Sequence, residues 1–522
     1  MKKLFNFRPI VFFALAFVFG IVFGTLFFAG RISVWCFIVI AGMLAFLTIS
    51  LFICRILSLR VFELKKIMSR CLVVIIAMLL GIINVSMFNV RMQPHTIEAG
   101  TYNIVARVAA SPMKSGDTKN YYLILDNAIL EKGGENFDID SKIKIYAMQE
   151  NMDDTLELGD YVSFKCFVYN EKISNETAIR NGYSNLNDGI FIRGTAYSRA
   201  EKLDRSEVNI FEAIKLSAKK VMLENMGRSY AGIGYGMIFG DKSLMDADIS
   251  ETYRNAGISH LLAVSGLHIG FVVTILVFIL SRLKVDDKVT FVLITFFLLL
   301  YLILCEFSVS AMRAFIMTVC MLYAKCRQKL YDSLSALAFA LVIILLISPL
   351  SIFDISLQMS FCAVLGILLL AKPLTRIFEK VMYKPFANAL GLSLAASIGI
   401  SIVTISAFEK VSVLGVFTNM VVIPIASIAF MFLFLALIVA LIFPAIGGVL
   451  CVFDYIMMFV NGMASAVSVI RVNNITAHAR LGYEAGIFSA VVLTSDYCFA
   501  KRRVRVPLAL LCAGLSLCIM FV

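Results

Sequence analysis

The sequence predicts a polytopic α-helical membrane protein with an inserted extracellular all-β domain of the OB-like type. Hydrophobic residues make up 60% of the 522 residues and charged residues 16%, whereas soluble proteins average roughly 45–50% and about 25%. Apolar runs close to the roughly 20 residues that a membrane-spanning helix needs recur along the chain. One long stretch, 91–205, has no such run and instead carries short segments of β type.

Thirteen apolar segments predict membrane crossings. They cover 10–30, 33–54, 71–90, 258–281, 289–306, 308–324, 333–350, 356–371, 388–407, 412–443, 446–470, 482–499 and 504–522. The first follows Lys2 and Lys3, but its length and the second span directly after it favour a signal anchor over a cleaved signal peptide. We predict that 412–443 is a single crossing, broken at Pro424.

Basic residues concentrate in short loops between the predicted spans. These loops lie at 55–70, 282–288, 325–329, 372–384 and 501–505. Cytoplasmic loops carry an excess of Lys and Arg, so we expect a multi-pass protein of the plasma membrane with a cytoplasmic N-terminus. The OB-like domain and the C-terminus then lie outside. The loops also account for much of the net charge of +12.

Residues 91–205 predict a small β-barrel or sandwich, because runs rich in Val, Ile, Tyr and Phe alternate with turn residues. The runs are 101–109, 120–129, 142–148, 161–169 and 189–198. An OB-like barrel is the preferred arrangement. With 14 basic and 17 acidic residues, the domain has a net charge of −3, although nucleic-acid surfaces are usually basic. A structural or partner-binding domain therefore remains the alternative to DNA binding.

Residues 206–257 predict a connection that does not cross the membrane. Asn209 and Glu212 have capping-box spacing at the start of an amphipathic helix in 206–227. This helix lies either on the membrane surface or against the barrel. The apolar part of 230–257 is too short to span, and its glycines weaken helix, so we expect a re-entrant segment with two short helices around Gly240–Asp241.

The stretch GISHLLAVSGLHIG, 257–270, places two of the four histidines of the chain in an apolar region. On a continuous helix His260, Ser265 and His268 would share one broad face. Intramembrane polar groups are functional candidates, so the sharper interpretation is the lining of a hydrated path. Hydrogen bonding between helices is the alternative. A hydrolase with Ser265 as nucleophile and His268 as base is disfavoured, because no G-x-S-x-G motif or orienting carboxylate is evident. The spacing also disfavours a metal site.

Other polar residues interrupt later spans. Arg313 either snorkels to the outer interface or faces a polyanion, since guanidinium groups bind phosphate bidentately. Asp354 and Gln358 are spaced i, i+4 and would share a helix face, although Asp354 also suits an N-cap. Asn419 and Pro424 mark a broken helix of the kind that lines substrate sites.

The sequence resembles the ComEC family of competence channels along essentially its whole length. The resemblance is carried by FGDKS (239–243), NAGISHLLAVSGLHIGF (255–271), FSVSAMRAFIM (307–317), FDISLQMSFCAVLGI (353–367) and FEKVSVLGVFTNMVVIPIAS (408–427). The family layout matches too: three N-terminal transmembrane helices (1–90), an OB-like domain (91–205), amphipathic and re-entrant segments (206–257) and a polytopic channel core (258–522).

The resemblance implies inward passage of single-stranded transforming DNA without a cofactor or metal. The positions that carry over to the channel core, none of them catalytic, are Asp241, Ser259, His260, Ser265, Gly266, His268, Arg313, Asp354, Gln358 and Asn419. The alternatives are an intramembrane hydrolase and a transporter of another anionic polymer.

The sequence departs from the family pattern at its end. Many ComEC proteins continue into a metallo-β-lactamase-like domain, whereas this sequence stops at Val522 and has no H-x-H-x-D-H motif. We therefore expect no nuclease activity from this chain, and separate nuclease and DNA-receptor proteins outside. The alternatives are DNA processing elsewhere, or a truncated relic. A cytoplasmic ATP-driven motor, membrane lipid and a possible homo-oligomer complete the expected partners.

Overall fold

The computed structural model describes ten stretches of the chain. They are 9–28, 62–92, 97–114, 120–152, 156–170, 185–205, 208–408, 410–412, 414–470 and 474–476. The crossings predicted at 33–54, 482–499 and 504–522 lie outside the described residues.

Seven strands form the β domain. They are β1 (Gly100–Lys114), β2 (Asn120–Lys132), β3 (Glu135–Ile139), β4 (Lys142–Met148), β5 (Asp160–Asn170), β6 (Ile190–Ala196) and β7 (Glu201–Arg205). Hydrogen bonds connect them in the order β1-β2-β4-β6-β5, and β5 pairs with β1, which closes a barrel of five strands. The pairing of β4 with β6 is parallel and the other pairings are antiparallel. This is the predicted OB-like barrel.

The five predicted strand runs are all confirmed, and two further strands extend the sheet. β3 returns along β2 through a turn at Gly133 and Gly134, whose φ angles of +66° and +88° suit glycine. β7 pairs antiparallel with the start of β5, at 160–163, whereas β6 pairs with its end, at 166–170. Alternate residues of β4, such as Ile143 and Ile145, are fully buried in the barrel, which explains the period-2 pattern in the sequence.

The described residues also form thirteen α-helices and a short antiparallel pair of strands, Lys410–Ser412 with Asn474–Thr476. The helices are α1 (Pro9–Phe28), α2 (Phe62–Met92), α3 (Ile210–Asn225), α4 (Arg228–Phe239), α5 (Ala247–Asn255), α6 (Gly266–Arg282), α7 (Asp287–Leu304), α8 (Val309–Cys326), α9 (Ser333–Ile347), α10 (Ile355–Phe378), α11 (Lys384–Phe408), α12 (Gly415–Ile442) and α13 (Cys451–Ser468). Within the described ranges, seven helical segments are long and apolar enough to cross a membrane: α1, α2, α7, α8, α10, α12 and α13 with the turn before it. The protein is therefore a multi-pass membrane protein.

Two of the predicted crossings differ from the structure. The segment 258–281 is not one helix, because a 3₁₀ turn (Ser259–Leu262) precedes α6. The predicted single element at 412–443 is confirmed as α12, but the predicted break is wrong, since the helix continues past Pro424. Membrane helices tolerate an internal proline where neighbouring groups pair with the freed carbonyl.

The two short helices predicted around Gly240–Asp241 are α4 and α5. Every residue from 231 to 239 of α4 is buried, so this glycine-rich helix lies inside the helical bundle. A Cβ added at Gly232 would lie 2.4 Å from the carbonyl oxygen of Leu244. Glycine is therefore required for the loop after α4 to pack back onto the helix.

The helix α3 joins the barrel to the bundle. Its predicted capping box is present: the Glu212 amide donates to Asn209 Oδ1 at 2.9 Å, and the Asn209 amide donates to Glu212 Oε2 at 3.0 Å. Glu212 also forms an ion pair with Arg107 of β1. One turn later, the buried Lys215 pairs with Glu306, between α7 and α8. This helix was predicted to lie either on the membrane surface or against the barrel. The ion pair with Arg107 supports the position against the barrel.

Candidate functional site

A cavity of about 280 Å³ with a mixed polar and apolar lining lies in the helical bundle. Its lining residues lie on α5, the 3₁₀ turn, α10, α11, the short segment Lys410–Ser412 and the start of α12. The lining residues are Glu251, Arg254, Asn255, Gly257, Ser259, His260, Met359, Ser397, Ile400, Thr404, Phe408, Ser412, Gly415 and Asn419. Three of the ten predicted site residues, Ser259, His260 and Asn419, therefore share one cavity.

Close backbone packing positions Asn419 beside the 3₁₀ turn. Gly257 has a φ angle of +76°, and a Cβ there would lie 2.9 Å from Ser412 Oγ and 3.0 Å from the Cα of Gly415. Glycine is thus needed for two reasons, its backbone angle and the approach of α12. Asn419 Nδ2 donates to the carbonyl oxygen of Gly257 at 3.4 Å, while its Oδ1 accepts no hydrogen bond from the described residues.

His260 lies in the 3₁₀ turn and is exposed to the cavity. The turn begins at Ser259, which also lines the cavity. Because the chain is extended at Ala263 and Ser265, His260 cannot lie on the same helix face as Ser265 and His268. The predicted common face is therefore wrong. The sequence offered a local signal for this break, since a serine followed by glycine suits a helix start.

Ser265 and His268 form the N-terminal cap of α6. The His268 amide donates to Ser265 Oγ at 3.4 Å, and the Ser265 amide donates to His268 Nδ1 at 3.2 Å. The imidazole is 1% exposed and stacks on the Phe430 ring of α12, with centroids 4.2 Å apart. Both polar side chains thus satisfy backbone groups that a helix start otherwise leaves unpaired.

Arg313 is buried between helices and has little compensation for its charge. Its side chain is 7% exposed, and Nη1 donates to the carbonyl oxygen of Ser360. Nε has no hydrogen-bond partner, and no carboxylate of the described residues acts on the guanidinium. A Cβ added at Gly266 would lie 2.5 Å from Arg313 Nη2. The predicted residues Gly266 and Arg313 are therefore in direct contact.

The remaining predicted residues are occupied by nearby backbone groups. Asp354 caps α10 by accepting from the Ser356 amide at 2.9 Å, and Gln358 Nε2 donates to the carbonyl oxygen of Ile352 at 2.9 Å. Asp354 therefore has the N-cap role that the sequence predicted as the alternative, and neither Asp354 nor Gln358 lines the cavity. Asp241 Oδ1 accepts from the Ser243 amide at 2.8 Å in the loop after α4.

The cavity also contains residues that the sequence did not single out. Ser397 and Thr404 of α11 are seven residues apart, which places them on one helix face, and both line the cavity. Isolated Ser and Thr residues in apolar helices usually bond to their own backbone, as Thr404 does to the carbonyl oxygen of Ile400 at 3.1 Å. The seven-residue spacing of Ser397 and Thr404 was the signal in the sequence that could have identified them.

The barrel carries a second feature that composition concealed, which we call the aromatic–basic face. It consists of Tyr122 on β2, Lys144 and Tyr146 on β4, and Arg193 on β6. Lys144 Nζ lies 4.4 Å from the Tyr122 ring centroid and 5.7 Å from that of Tyr146. Arg193 Cζ lies 5.2 Å from the Tyr146 centroid, and its Nη2 donates to the Tyr146 hydroxyl at 3.0 Å. The net charge of −3 predicted no such local face.

The loop before β6 lies close to the helical bundle. Leu186 packs with Phe88, Leu350 and Phe353. Restricted hydration, together with the negative charge of Asp354, raises the pKa of the Asp188 carboxyl to about 6. The barrel therefore meets the bundle near the start of α10 as well as at α3.

The helical bundle is similar in sequence to a family of known proteins. The Competence protein family matches residues 237–496, which include the cavity and Arg313. ComE operon protein 3 of Bacillus subtilis (strain 168) is 28% identical over 197 residues, which are 37% of this chain and 24% of that protein. Recombination protein 2 of Haemophilus influenzae is 28% identical over 210 residues, which are 37% of this chain and 26% of that protein. The matched region thus spans about a quarter of each relative. No solved structure matches this chain.

Proposed function

This chain belongs to the ComEC family of competence proteins, and from that premise we propose that it conducts single-stranded transforming DNA through the plasma membrane. A role in DNA uptake during competence follows from the family. Conduction through this chain is the finer step, and it is supported by charged and polar groups that the bundle keeps at membrane depth.

Buried Arg313 is the observation that carries this proposal. A buried charge without a partner is strongly destabilising, so a guanidinium retained among apolar helices calls for an anion supplied by something else. A phosphodiester provides that anion, and its oxygens accept two parallel hydrogen bonds from one guanidinium. Gly266 leaves room for Nη2 beside the start of α6. We infer that Arg313 contacts the DNA backbone during passage.

The aromatic–basic face supports a single strand as the form of DNA. Proteins that bind single strands combine cations for the backbone with aromatic rings on which bases stack. Tyr122, Lys144, Tyr146 and Arg193 offer both on adjacent strands. We propose that the barrel lies outside the membrane and receives the strand there, before the strand enters the bundle.

The proposal extends to the topology and the partners of the protein. We place the N-terminus in the cytoplasm and the C-terminus outside, following the basic loops. Membrane lipid surrounds the chain, and a homo-oligomer is compatible with it. A separate nuclease and a DNA receptor act outside, and an ATP-driven motor acts inside. We assign this chain a guiding role without catalysis, since Ser265 and His268 are engaged with backbone amides.

The test replaces Arg313 in cells that carry the variant as their sole copy. Arg313→Gln is expected to lower uptake of labelled DNA about tenfold or more, because a charge-assisted hydrogen bond contributes about 1.5–3 kcal/mol. Arg313→Lys keeps the charge but loses the bidentate geometry, so its DNA uptake should lie between that of the wild type and that of Arg313→Gln. Arg327→Gln is the matched control, since Arg327 is exposed at the other end of the same helix.

The amount of each variant in the membrane is measured alongside uptake. Wild-type uptake by Arg313→Gln would remove the basis of the proposal. Equal loss with Arg313→Gln and Arg327→Gln would show that a general charge effect, rather than the buried site, is responsible. The same cells are also offered labelled polyphosphate. Uptake of polyphosphate but not of DNA would show that the protein transports another anionic polymer.

A further inference from the structure

We propose that the cavity holds one nucleobase of the passing strand and that Asn419 hydrogen-bonds to the edge of that base. The inference rests on the proposed function and gives the cavity a role distinct from that of Arg313. Arg313 would contact the phosphate backbone, and Asn419 would contact the bases. The contact would act on single strands alone, because the edges of paired bases are already occupied.

Asn419 is unusual among the polar side chains of α12. Thr418 donates its hydroxyl to the carbonyl oxygen of Leu414 at 3.0 Å, and Ser427 bonds to that of Ile423. Asn419 instead points into the cavity, is 9% exposed, and has an Oδ1 without a partner among the described residues. Buried acceptors are nearly always paired, so an orphaned one beside a cavity indicates a ligand that donates.

The chemistry of the unpaired atom selects the part of the DNA that binds it. A carbonyl oxygen accepts hydrogen bonds, and phosphodiester oxygens also only accept, so the DNA backbone cannot satisfy Oδ1. Bases can, because each of the four presents an N–H donor next to an acceptor on its pairing edge. The Asn419 amide carries a donor beside an acceptor as well. Its Nδ2 is held by Gly257 at 3.4 Å, which is long for a hydrogen bond, so this group is readily shared.

Such a contact would tolerate any sequence, as a DNA channel requires. Adenine and cytosine present the amino donor and the ring acceptor, whereas guanine and thymine present the reverse order. A base that enters turned over presents its pairing edge in the opposite order, so both orders can be matched while Nδ2 of Asn419 remains directed at Gly257. The cavity therefore recognises that a base is present without reading which base it is.

The walls of the cavity fit a flat, partly apolar group. Met359, Ile400 and Phe408 contribute apolar surface, and Phe408 is 40% exposed. Ser259 and His260 supply polar groups on the side of the 3₁₀ turn. At about 280 Å³, the cavity is at the small end of ligand pockets, which run to roughly 300–1,000 Å³. It has room for a single base.

The test measures binding of short, labelled oligodeoxynucleotides to the full-length protein in lipid nanodiscs. One probe carries bases, and a second of equal length is abasic and retains only the sugar–phosphate backbone. The wild type should bind the base-bearing probe more tightly. Asn419→Leu, which keeps the branched shape and removes both polar atoms, should weaken that probe about tenfold, as expected for a lost hydrogen bond pair, and leave abasic binding unchanged. Thr418→Val is the matched control on the same helix and should change neither.

The outcomes separate this inference from the proposed function. Equal wild-type binding of the two probes, with no effect of Asn419→Leu, overturns the base contact and leaves the DNA path standing. Equal weakening of both probes by Asn419→Leu also overturns it, because Asn419 would then serve the structure of the site as a whole. If the wild type binds neither probe, the proposed function itself fails. Thermal unfolding of both variants confirms that the bundle remains folded.

Discussion

The two histidines of GISHLLAVSGLHIG lie in regions of opposite character. His268 is closed in by the helix cap and by the Phe430 ring, whereas His260, eight residues earlier, is exposed to the cavity. Polar residues at membrane depth are by default functional candidates. Here that group divides into closed sites, which serve the helices, and open sites, which face the cavity or, like Arg313, have no carboxylate partner among the described residues. We expect substitutions in closed sites to reduce stability and those in open sites to reduce uptake.

Replacement of His268 should have the largest effect on stability. His268→Ala loses the cap, which contributes about 1 kcal/mol, the ring stacking, about 0.5–1.5 kcal/mol, and leaves a void in the bundle. We expect the free energy of unfolding to fall by about 3 kcal/mol, measured by thermal unfolding in detergent. His268→Gln can restore the reciprocal cap and should recover part of the loss. Unchanged stability of His268→Ala would place His268 among the open sites.

Gly266→Ala tests the opposite region, because its methyl group would lie 2.5 Å from Arg313 Nη2 and displace the guanidinium. We expect DNA uptake to fall about tenfold, the loss of one charge-assisted hydrogen bond, with a smaller change in the melting temperature. Gly270→Ala is the matched control on the same helix, since a Cβ there meets nothing within 4 Å. Equal DNA uptake by Gly266→Ala and Gly270→Ala would show that displacing the Arg313 guanidinium does not affect uptake, contrary to this prediction.

Asp354 is assigned to the closed group although it was predicted to face the path. Asp354→Ala should cost about 1 kcal/mol through loss of the α10 cap, and Asp354→Asn almost nothing, because Asn is as good an N-cap. Uptake by Asp354→Asn should equal that of the wild type, measured with labelled DNA at matched protein levels. A loss of uptake in this variant would move Asp354 to the open group.

The smallest effect is expected at Asp188 and depends on pH. Its pKa in the folded protein, about 6, is above the ordinary value of 3.8, so the folded state binds the proton more tightly than the unfolded chain does. Stability therefore falls as the pH rises from about 4 to about 6. Asp188→Asn should remove this fall, raising the melting temperature slightly above pH 6 and leaving it unchanged below pH 4. An identical pH profile in both proteins would contradict the assignment.

The sequence predicted the barrel better than it predicted the candidate site. Each barrel strand buries one face, so β4 shows alternation that can be read locally. The positions of the membrane helices could be predicted from their apolar composition alone. Which side of each helix faces the bundle could not be predicted, because lipid and the bundle interior are both apolar and leave no periodic pattern in the sequence.

The geometry of the site escaped prediction for a related reason. His260 and Asn419 are 159 residues apart in the sequence and meet only because Gly257 allows α12 to approach the 3₁₀ turn. The assumption of one continuous helix from 258 placed His260 on the wrong element. Asn419 was identified because it interrupts an apolar run, but nothing local indicated that its oxygen would be left unpaired.

The helix α3 has a mechanical consequence. Glu212 links it to β1 of the barrel, and Lys215 one turn later links it to Glu306. Glu306 lies in the tight turn that leads into α8, where Arg313 follows within two helical turns. A load applied to the barrel by a bound strand would therefore act, through two ionic contacts one turn apart at the N-terminal end of α3, on the turn that precedes the helix with the buried charge.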